Sequence, residues 1–359
     1  MELWSKYTAL SNCLFLKRLN MELYQHLQKL PKVELHLHLE GAIRPQTAVE
    51  LARKNGVSLP HSDRPDDLYD YNTLDAFLDV YDAISKTIVQ VDDFRRITYE
   101  MLQSASRSGA RHVEFFISPH AHEGVPFARQ FEGIRLGIKD AQVDFGVTSL
   151  IIPGMNRELG PERGEAYLDE ILANRGDDVV GLGLDYFEAP YPPEPFAKVF
   201  ARARESGLKL SAHCGEAGPA SYVRGCYEAL KVDRLDHGYN VVDDPALMAE
   251  LRDAGILFTC CPSTTRFTTP HRDLGSPSHP IRVMKQAGLA VSIHSDDPPM
   301  FNTDLNGEYV IAIEQMQFSP ADIKTAVLAT IDHAWVDETT KRNWRQDWMP
   351  EIDAVIDAL

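Results

Sequence analysis

No run of apolar residues in this 359-residue chain approaches the roughly 18 needed to cross a bilayer, so a membrane-spanning helix is not expected. Positive charge is in short supply: 36 Lys and Arg face 53 Asp and Glu, a net charge of −17. Such a surface repels phosphate backbones and acidic lipids, which argues against nucleic-acid and membrane partners. The five cysteines (Cys13, Cys214, Cys226, Cys260 and Cys261) form no repeating framework and no CxxC pair, which removes a thiolate zinc knuckle. The first 20 residues have neither a charged start nor a small-residue cleavage site, so no secretory signal is read there. The expectation is a cytoplasmic protein with reduced thiols.

What is present is an ordinary globular composition, 44% hydrophobic and 25% charged. Eight short apolar, β-branched runs stand between Val33 and Ser295: Val33–Leu39, His112–Ile117, Val147–Ile152, Val179–Leu184, Leu208–His213, Arg234–His237, Leu257–Cys260 and Ala290–His294. Stretches with helical periodicity, such as Pro195–Ser206 and Pro245–Ala254, separate most of them. Strands alternating with helices imply a parallel sheet, and eight of them imply an α/β fold of the (β/α)8 TIM-barrel type. The long interval after the first run reads as a helical insertion over the barrel mouth (Thr47–Asn55, Leu74–Ile84, Val91–Arg107), and Pro320–Leu359 as helices packed outside. Met21 opens a second plausible beginning. Residues 1–20 are therefore read as an N-terminal extension and 21–359 as one domain.

In a barrel, chemistry collects where strands end, and here the strand ends carry titratable groups. His36 and His38 lie two apart, which points both imidazoles to one face of an extended chain. They suit two positions on a metal, or a pair of hydrogen-bonded core histidines. His213 ends another run, with Glu216 three residues on, past a glycine; the plain alternative for Glu216 is a loop acid at a helix start. His237 ends Arg234–His237 and could orient or deprotonate a water, or bond a backbone carbonyl. Asp296 and Asp297 end the last run; adjacent buried carboxylates repel unless a cation is near, though an N-cap plus a turn residue before Pro298 is the other reading.

Taken together, three histidines and an aspartate make an N3O set that suits zinc, with acid and base groups beside it. The fourth run ends Gly183-Leu184-Asp185 without the lysine that bridges two metals in related barrels, which favours one metal per chain. The chain resembles the adenosine/adenine deaminases of the amidohydrolase superfamily from about Pro31 onward. The resemblance rests on HLHLEG (His36–Gly41), SPH (Ser118–His120), SAHCGE (Ser211–Glu216), LDHG (Leu235–Gly238) and SDDP (Ser295–Pro298), in the family's order. It implies one Zn2+ held by His36, His38, His213 and Asp296. It makes Glu216 the proton donor to a purine ring nitrogen, His237 the residue that positions the attacking water, and Asp297 the partner of the purine's imidazole edge. Zinc lowers the pKa of a bound water from 15.7 toward about 7. The P-C-x-x-C ligand motif of the cytidine-deaminase scaffold does not occur.

Glu40 stands where adenosine deaminases usually carry an aspartate in contact with ribose, so the longer side chain is expected to occupy space a sugar needs. GLGLD (Gly181–Asp185) followed by Glu188, and HEGVPF (His122–Phe127), are similar to the adenine-deaminase subgroup. Departures from that subgroup are Cys261-Pro-Ser-Thr-Thr265, His294 before Ser295, and Tyr186 and Phe187 beside the pocket. The expected activity is zinc-dependent deamination of adenine or a close 6-aminopurine, including N6-substituted adenines if the Ser263–Thr265 and His294 region opens the wall. Adenosine deamination and a catalytically inactive purine-binding barrel are the alternatives. The expected partner is a small-molecule 6-aminopurine; the oligomeric state is not legible.

Overall fold

The computed structural model describes residues 20–60, 64–71, 73–122 and 124–359. The expected extension, residues 1–20, lies outside these apart from Asn20, whose side chain accepts from the Leu23 N–H and caps the first helix. In chain order the elements are α1 (Met21–Leu27), β1 (Lys32–Glu34), α2 (Pro45–Asn55), α3 (Leu74–Ser85), α4 (Val91–Arg107), β2 (Ala110–Ile117), α5 (Phe127–Phe145), β3 (Thr148–Asn156), α6 (Gly160–Asn174) and β4 (Gly181–Asp185). There follow α7 (Ala197–Glu205), β5 (Lys209–Cys214), α8 (Ala220–Gly225), β6 (Arg234–His237), α9 (Pro245–Ala254), β7 (Leu257–Cys260), α10 (Thr265–Thr268), α11 (Pro280–Gln286) and β8 (Ala290–Ile293). The chain finishes with α12 (Leu305–Glu314), α13 (Pro320–His333) and α14 (Glu338–Ile356).

All eight strands are parallel and pair in sequence order, which is the (β/α)8 barrel. One boundary differs from the sequence reading. Regular pairing of the first strand stops at Glu34, because from there the chain pairs by turns with both neighbours. Leu37 bridges to Asp296 on the β8 side, and His38 to Phe116 on the β2 side. The His38 N–H donates to the Asp296 carbonyl at 2.9 Å, and the Asp296 N–H to the His36 carbonyl at 3.1 Å. The barrel is thus closed at its C-terminal rim by the segments that carry the histidine and aspartate motifs. Side chains reinforce that seam: the Leu35 N–H donates to His294 Nδ1 at 3.1 Å, and the Ser295 N–H to Glu34 Oε1 at 3.1 Å.

The insertion between β1 and β2 is helical, as α2, α3 and α4. α4 crosses α5 closely because α5 carries Gly133 and Gly137 at the contact. A Cβ at Gly133 would lie 2.3 Å from the Val91 carbonyl, and one at Gly137 would lie 2.5 Å from that of Arg95. At the barrel's foot, Arg234 is paired to Glu114 at 2.6 Å, and its guanidinium stacks 3.6 Å from the centre of the Trp335 ring. The tail packs as anticipated, α13 against β8 and β1, and α14 against α13.

Candidate active site

Three site residues sit where strands give way to loops with the backbone in the left-handed region: Tyr186 (φ 68), His237 (φ 63) and Asp296 (φ 61). That conformation is costly for residues other than glycine, and it is held here by the barrel around it. It turns each side chain from the strand direction into the mouth. Gly41 makes room for the same purpose. A Cβ on it would fall 1.6 Å from Asp297 Oδ1, so only glycine lets that carboxyl stand beside the HLHLEG turn.

His36, His38, His213 and Asp296 are all buried, and each offers a ligand atom within 4.8 Å of the others. His36 and His38 approach Asp296 Oδ1 with their Nε2 atoms, at 3.2 and 3.3 Å. His213 Nδ1 lies 3.1 Å from the Leu184 carbonyl, an acceptor only, so the proton sits on Nδ1 and the Nε2 lone pair faces inward. That Nε2 is 3.2 Å from His38 Nε2. His36 has its Nδ1 on Thr259 Oγ1 at 2.9 Å, and its buried Nε2 makes no hydrogen bond. Behind the cluster, Asp236 accepts from Thr259 Oγ1 at 2.8 Å and from Ser211 Oγ, and lies 3.5 Å from His36 Nδ1. This carboxylate holds the imidazoles in place and raises their basicity.

The cluster's electrostatics ask for a positive charge. Burial works against protonation of His36, yet the Asp296 carboxylate beside it raises that imidazole to about 9. Converging inward lone pairs, a carboxylate and an acidic second layer fit a zinc ion. An overlapping group, His36, His237, Cys261 and Asp296, also lies within reach of one ion; it shares two members with the first, so the groups are not independent sites.

Glu216 and His237 flank this centre, with His237 Nε2 at 3.6 Å from Glu216 Oε2 and 3.9 Å from Asp296 Oδ2. Burial, then the nearby Asp296 charge, raises Glu216 to about 8, against a hydrogen bond from Thr268 Oγ1 at 2.5 Å. Burial, then the positive His36, lowers His237 to about 4. Near neutral pH the glutamate is a proton donor and the imidazole a proton acceptor. Asp297 is pushed well above the usual carboxylate range, first by burial and then by Asp296; its buried Oδ1 makes no hydrogen bond.

His38, His213, Asp296, Glu216, His237 and Asp297 line an open cavity with Tyr186 and the α3 side chains Phe77, Leu78 and Tyr81. Tyr186 Oη donates to Asp82 Oδ1 at 3.1 Å, tying the loop after β4 to α3. Glu40 is not in the wall. It stands one layer back, accepting from the Ser118 N–H at 3.0 Å and from Tyr81 Oη at 3.2 Å, with His122 Nε2 at 2.8 Å. Of the Ser263–Thr265 and His294 region expected to open the wall, Thr264 alone lines the cavity, and its Oγ1 donates to Asp296 Oδ2 at 2.8 Å; Tyr186 and Phe187 line it as expected. His294 faces the β1 seam instead, with Nδ1 on the Leu35 N–H and Nε2 on Ser292 Oγ at 2.8 Å.

Two residues beyond the motifs stand out. Glu188 accepts four successive backbone N–H groups, from Gly215, Glu216 (3.0 Å), Ala217 (2.9 Å) and Gly218 (2.7 Å), and so fixes the loop that presents Glu216. Arg157 spans the same corner, donating to the backbone carbonyls of His213, Asp185 (3.3 Å) and Tyr191 (3.3 Å). A run of unpaired N–H groups calls for an acceptor, but nothing local links position 188 to a loop beginning at 215.

A barrel with an N3O ligand set, a buried acid and a neutral imidazole at its C-terminal rim defines a metal-dependent hydrolase of the amidohydrolase class. The comparisons agree. The family model described as adenosine deaminase matches residues 31–349, and the chain belongs to that family. It is 35% identical over 330 residues to an adenine deaminase of Cupriavidus pinatubonensis, covering 86% of this chain and 93% of that protein. Among solved structures it is similar to an amidohydrolase from Burkholderia ambifaria crystallised with bound zinc, at 37% identity and a TM-score of 0.87, covering 93% and 94% of the two chains. An adenine deaminase from Arthrobacter aurescens matches at 30% identity and a TM-score of 0.83, covering 91% and 99%.

Proposed function

We propose that the protein hydrolyses adenine to hypoxanthine and ammonia, with one zinc ion bound by His36, His38, His213 and Asp296 and with residues 21–359 acting as one catalytic domain. The observation that carries the reading is the convergence of four metal-ligand atoms within 4.8 Å, three of their residues lining the same cavity as a raised Glu216, a lowered His237 and Asp297, whose Oδ1 makes no hydrogen bond. The adenine deaminases among its relatives support the substrate. A bound zinc supplies Lewis acidity that makes the attacking water a nucleophile near neutral pH. The chain's own groups do the rest. Glu216, protonated at pH 7, delivers a proton to N1 of the purine as water adds to C6, which offsets the loss of aromaticity. His237, neutral at that pH, accepts the proton that water loses and passes it to the amino group, and as the C6–N bond breaks and ammonia leaves, the C6 hydroxyl proton returns to Glu216 to give the carbonyl of hypoxanthine. Protonated Asp297 donates to N7 and fixes the ring's tilt.

The substrate is a small neutral purine, and the site asks for no nucleic acid. Free, buried thiols at Cys214, Cys226, Cys260 and Cys261 suit the reducing cytoplasm. Purified protein should release ammonia from adenine faster than from adenosine. A tenfold preference for adenosine would refute the free-base assignment.

A further inference from the structure

The metal ligands come from the segments after β1 and β8 and from β5, Glu216 follows β5, and Asp297 follows β8. With C6 at the metal, N1 at Glu216 and N7 at Asp297, three points of the purine are fixed. The remaining edge, N3 and N9, then faces the half of the mouth bounded by the ends of β2 and β4. Ser118 and Asp185 line that half.

Asp185 has the marks of a built site. It is buried, its Oδ1 makes no hydrogen bond, and its Oδ2 is 3.5 Å from Ser118 Oγ. Room for the carboxyl is made by Gly154 on β3, where a Cβ would lie 2.1 Å from Asp185 Oδ2. Arg157 holds the Asp185 backbone from behind. A buried carboxyl oxygen left unpaired costs free energy that a ligand donor would recover.

Building on the proposed adenine-deaminase reading, we infer that Asp185 is the residue that selects the free base, accepting a hydrogen bond from the N9–H of adenine and leaving no room for an N9 substituent. The two lone carboxyls of the cavity then act as a complementary pair. Asp297 stands at the N7 side and Asp185 accepts from N9–H, so together they bracket the imidazole edge of an unsubstituted purine. Exclusion of a sugar thereby passes from Glu40, which lies behind Tyr81 and Ser118, to a side chain in the wall.

The test separates the hydrogen bond from the space. Adenine, 9-methyladenine and adenosine are assayed for ammonia release with the wild type, Asp185→Leu and Asp185→Ala. Wild type should favour adenine over 9-methyladenine by at least a hundredfold in kcat/KM. Asp185→Ala should lose about a hundredfold on adenine, chiefly through KM, while gaining on 9-methyladenine until the two substrates are nearly equal. Asp185→Leu, which keeps the shape but has no acceptor, should lose on adenine without gaining on 9-methyladenine. If both variants keep wild-type discrimination between these substrates, the inference is overturned while the deaminase reading stands. A wild type that prefers adenosine overturns both. Zinc content and circular dichroism of each variant should match wild type, and loss of zinc in Asp185→Ala would place the residue with the metal and overturn the inference.

Discussion

At the foot of the barrel, Arg234 and Glu114 are fully buried and face each other at 2.6 Å, with Trp335 covering the guanidinium. Lys32, also buried, spends its ammonium on the carbonyls of Leu27, Leu30 and Ser108 and on Asn306 Oδ1, at 2.6 to 3.2 Å. At the rim, burial is as complete, but the atoms left without partners differ in kind. Around Arg234 the foot leaves donors over, two of its nitrogens beside an aromatic face, whereas around the histidine and aspartate cluster the rim leaves His36 Nε2, Asp185 Oδ1 and Asp297 Oδ1. Charges at the foot neutralise one another and serve stability. Those at the rim await a cation and a substrate. Burial alone does not distinguish a structural charge from a functional one; the identity of the unpaired atoms does.

Substitutions at the two ends should fail differently. His213→Ala or His36→Ala is expected to lose zinc and to bring ammonia release down to background, with the far-ultraviolet circular dichroism unchanged; a zinc assay beside the activity assay checks both. Glu216→Gln should retain zinc and lower kcat by about 10²- to 10⁴-fold, the range for a general acid; loss of metal in that variant would move Glu216 into the ligand set. Arg234→Ala strands a buried Glu114 carboxylate and should cost about 3–5 kcal/mol in stability by denaturant titration, while the kcat of the folded fraction stays near wild type. A loss of turnover without a loss of stability there would erase the contrast between the ends.

The smallest effect concerns pH. Glu216 must be protonated to act as the acid and is raised to about 8, so rate is present below that pH and is lost as pH climbs through it. The Thr268 hydrogen bond favours the ionised form. Thr268→Val should therefore move the alkaline limb of the kcat profile upward. A downward move would mean that another group sets the limb.

Much of this was legible in the chain itself. The apolar runs mark all eight strands, and Val91–Arg107 and Pro245–Ala254 are helices to the residue, because long periodic stretches bounded by caps leave few alternatives. The first strand is shorter than its apolar run, since such a run does not reveal that its second half pairs with two neighbours in turn. Within the site, residues in compact motifs were visible, while those that act across the barrel were not. Asp236 stands one position before His237, yet its role comes from reaching His36, Ser211 and Thr259 on other strands. Glu188 and Asp185 show in the sequence only as part of a family-like run, because the loop that Glu188 clamps and the half-cavity that Asp185 faces exist only once the barrel has closed. Glu40 illustrates the converse: its length suggested a blocked sugar site, and the fold directs its carboxylate to His122 instead.

The central claim, that His36, His38, His213 and Asp296 at the rim hold a single metal, is tested most directly by metal analysis of purified protein before and after chelation, followed by stepwise return of zinc. The account predicts close to one zinc per chain, loss of adenine deamination when it is removed, and full recovery at one equivalent, with no recovery in His213→Ala. Two tightly held metals per chain, or adenine deamination that survives removal of the metal, would contradict it.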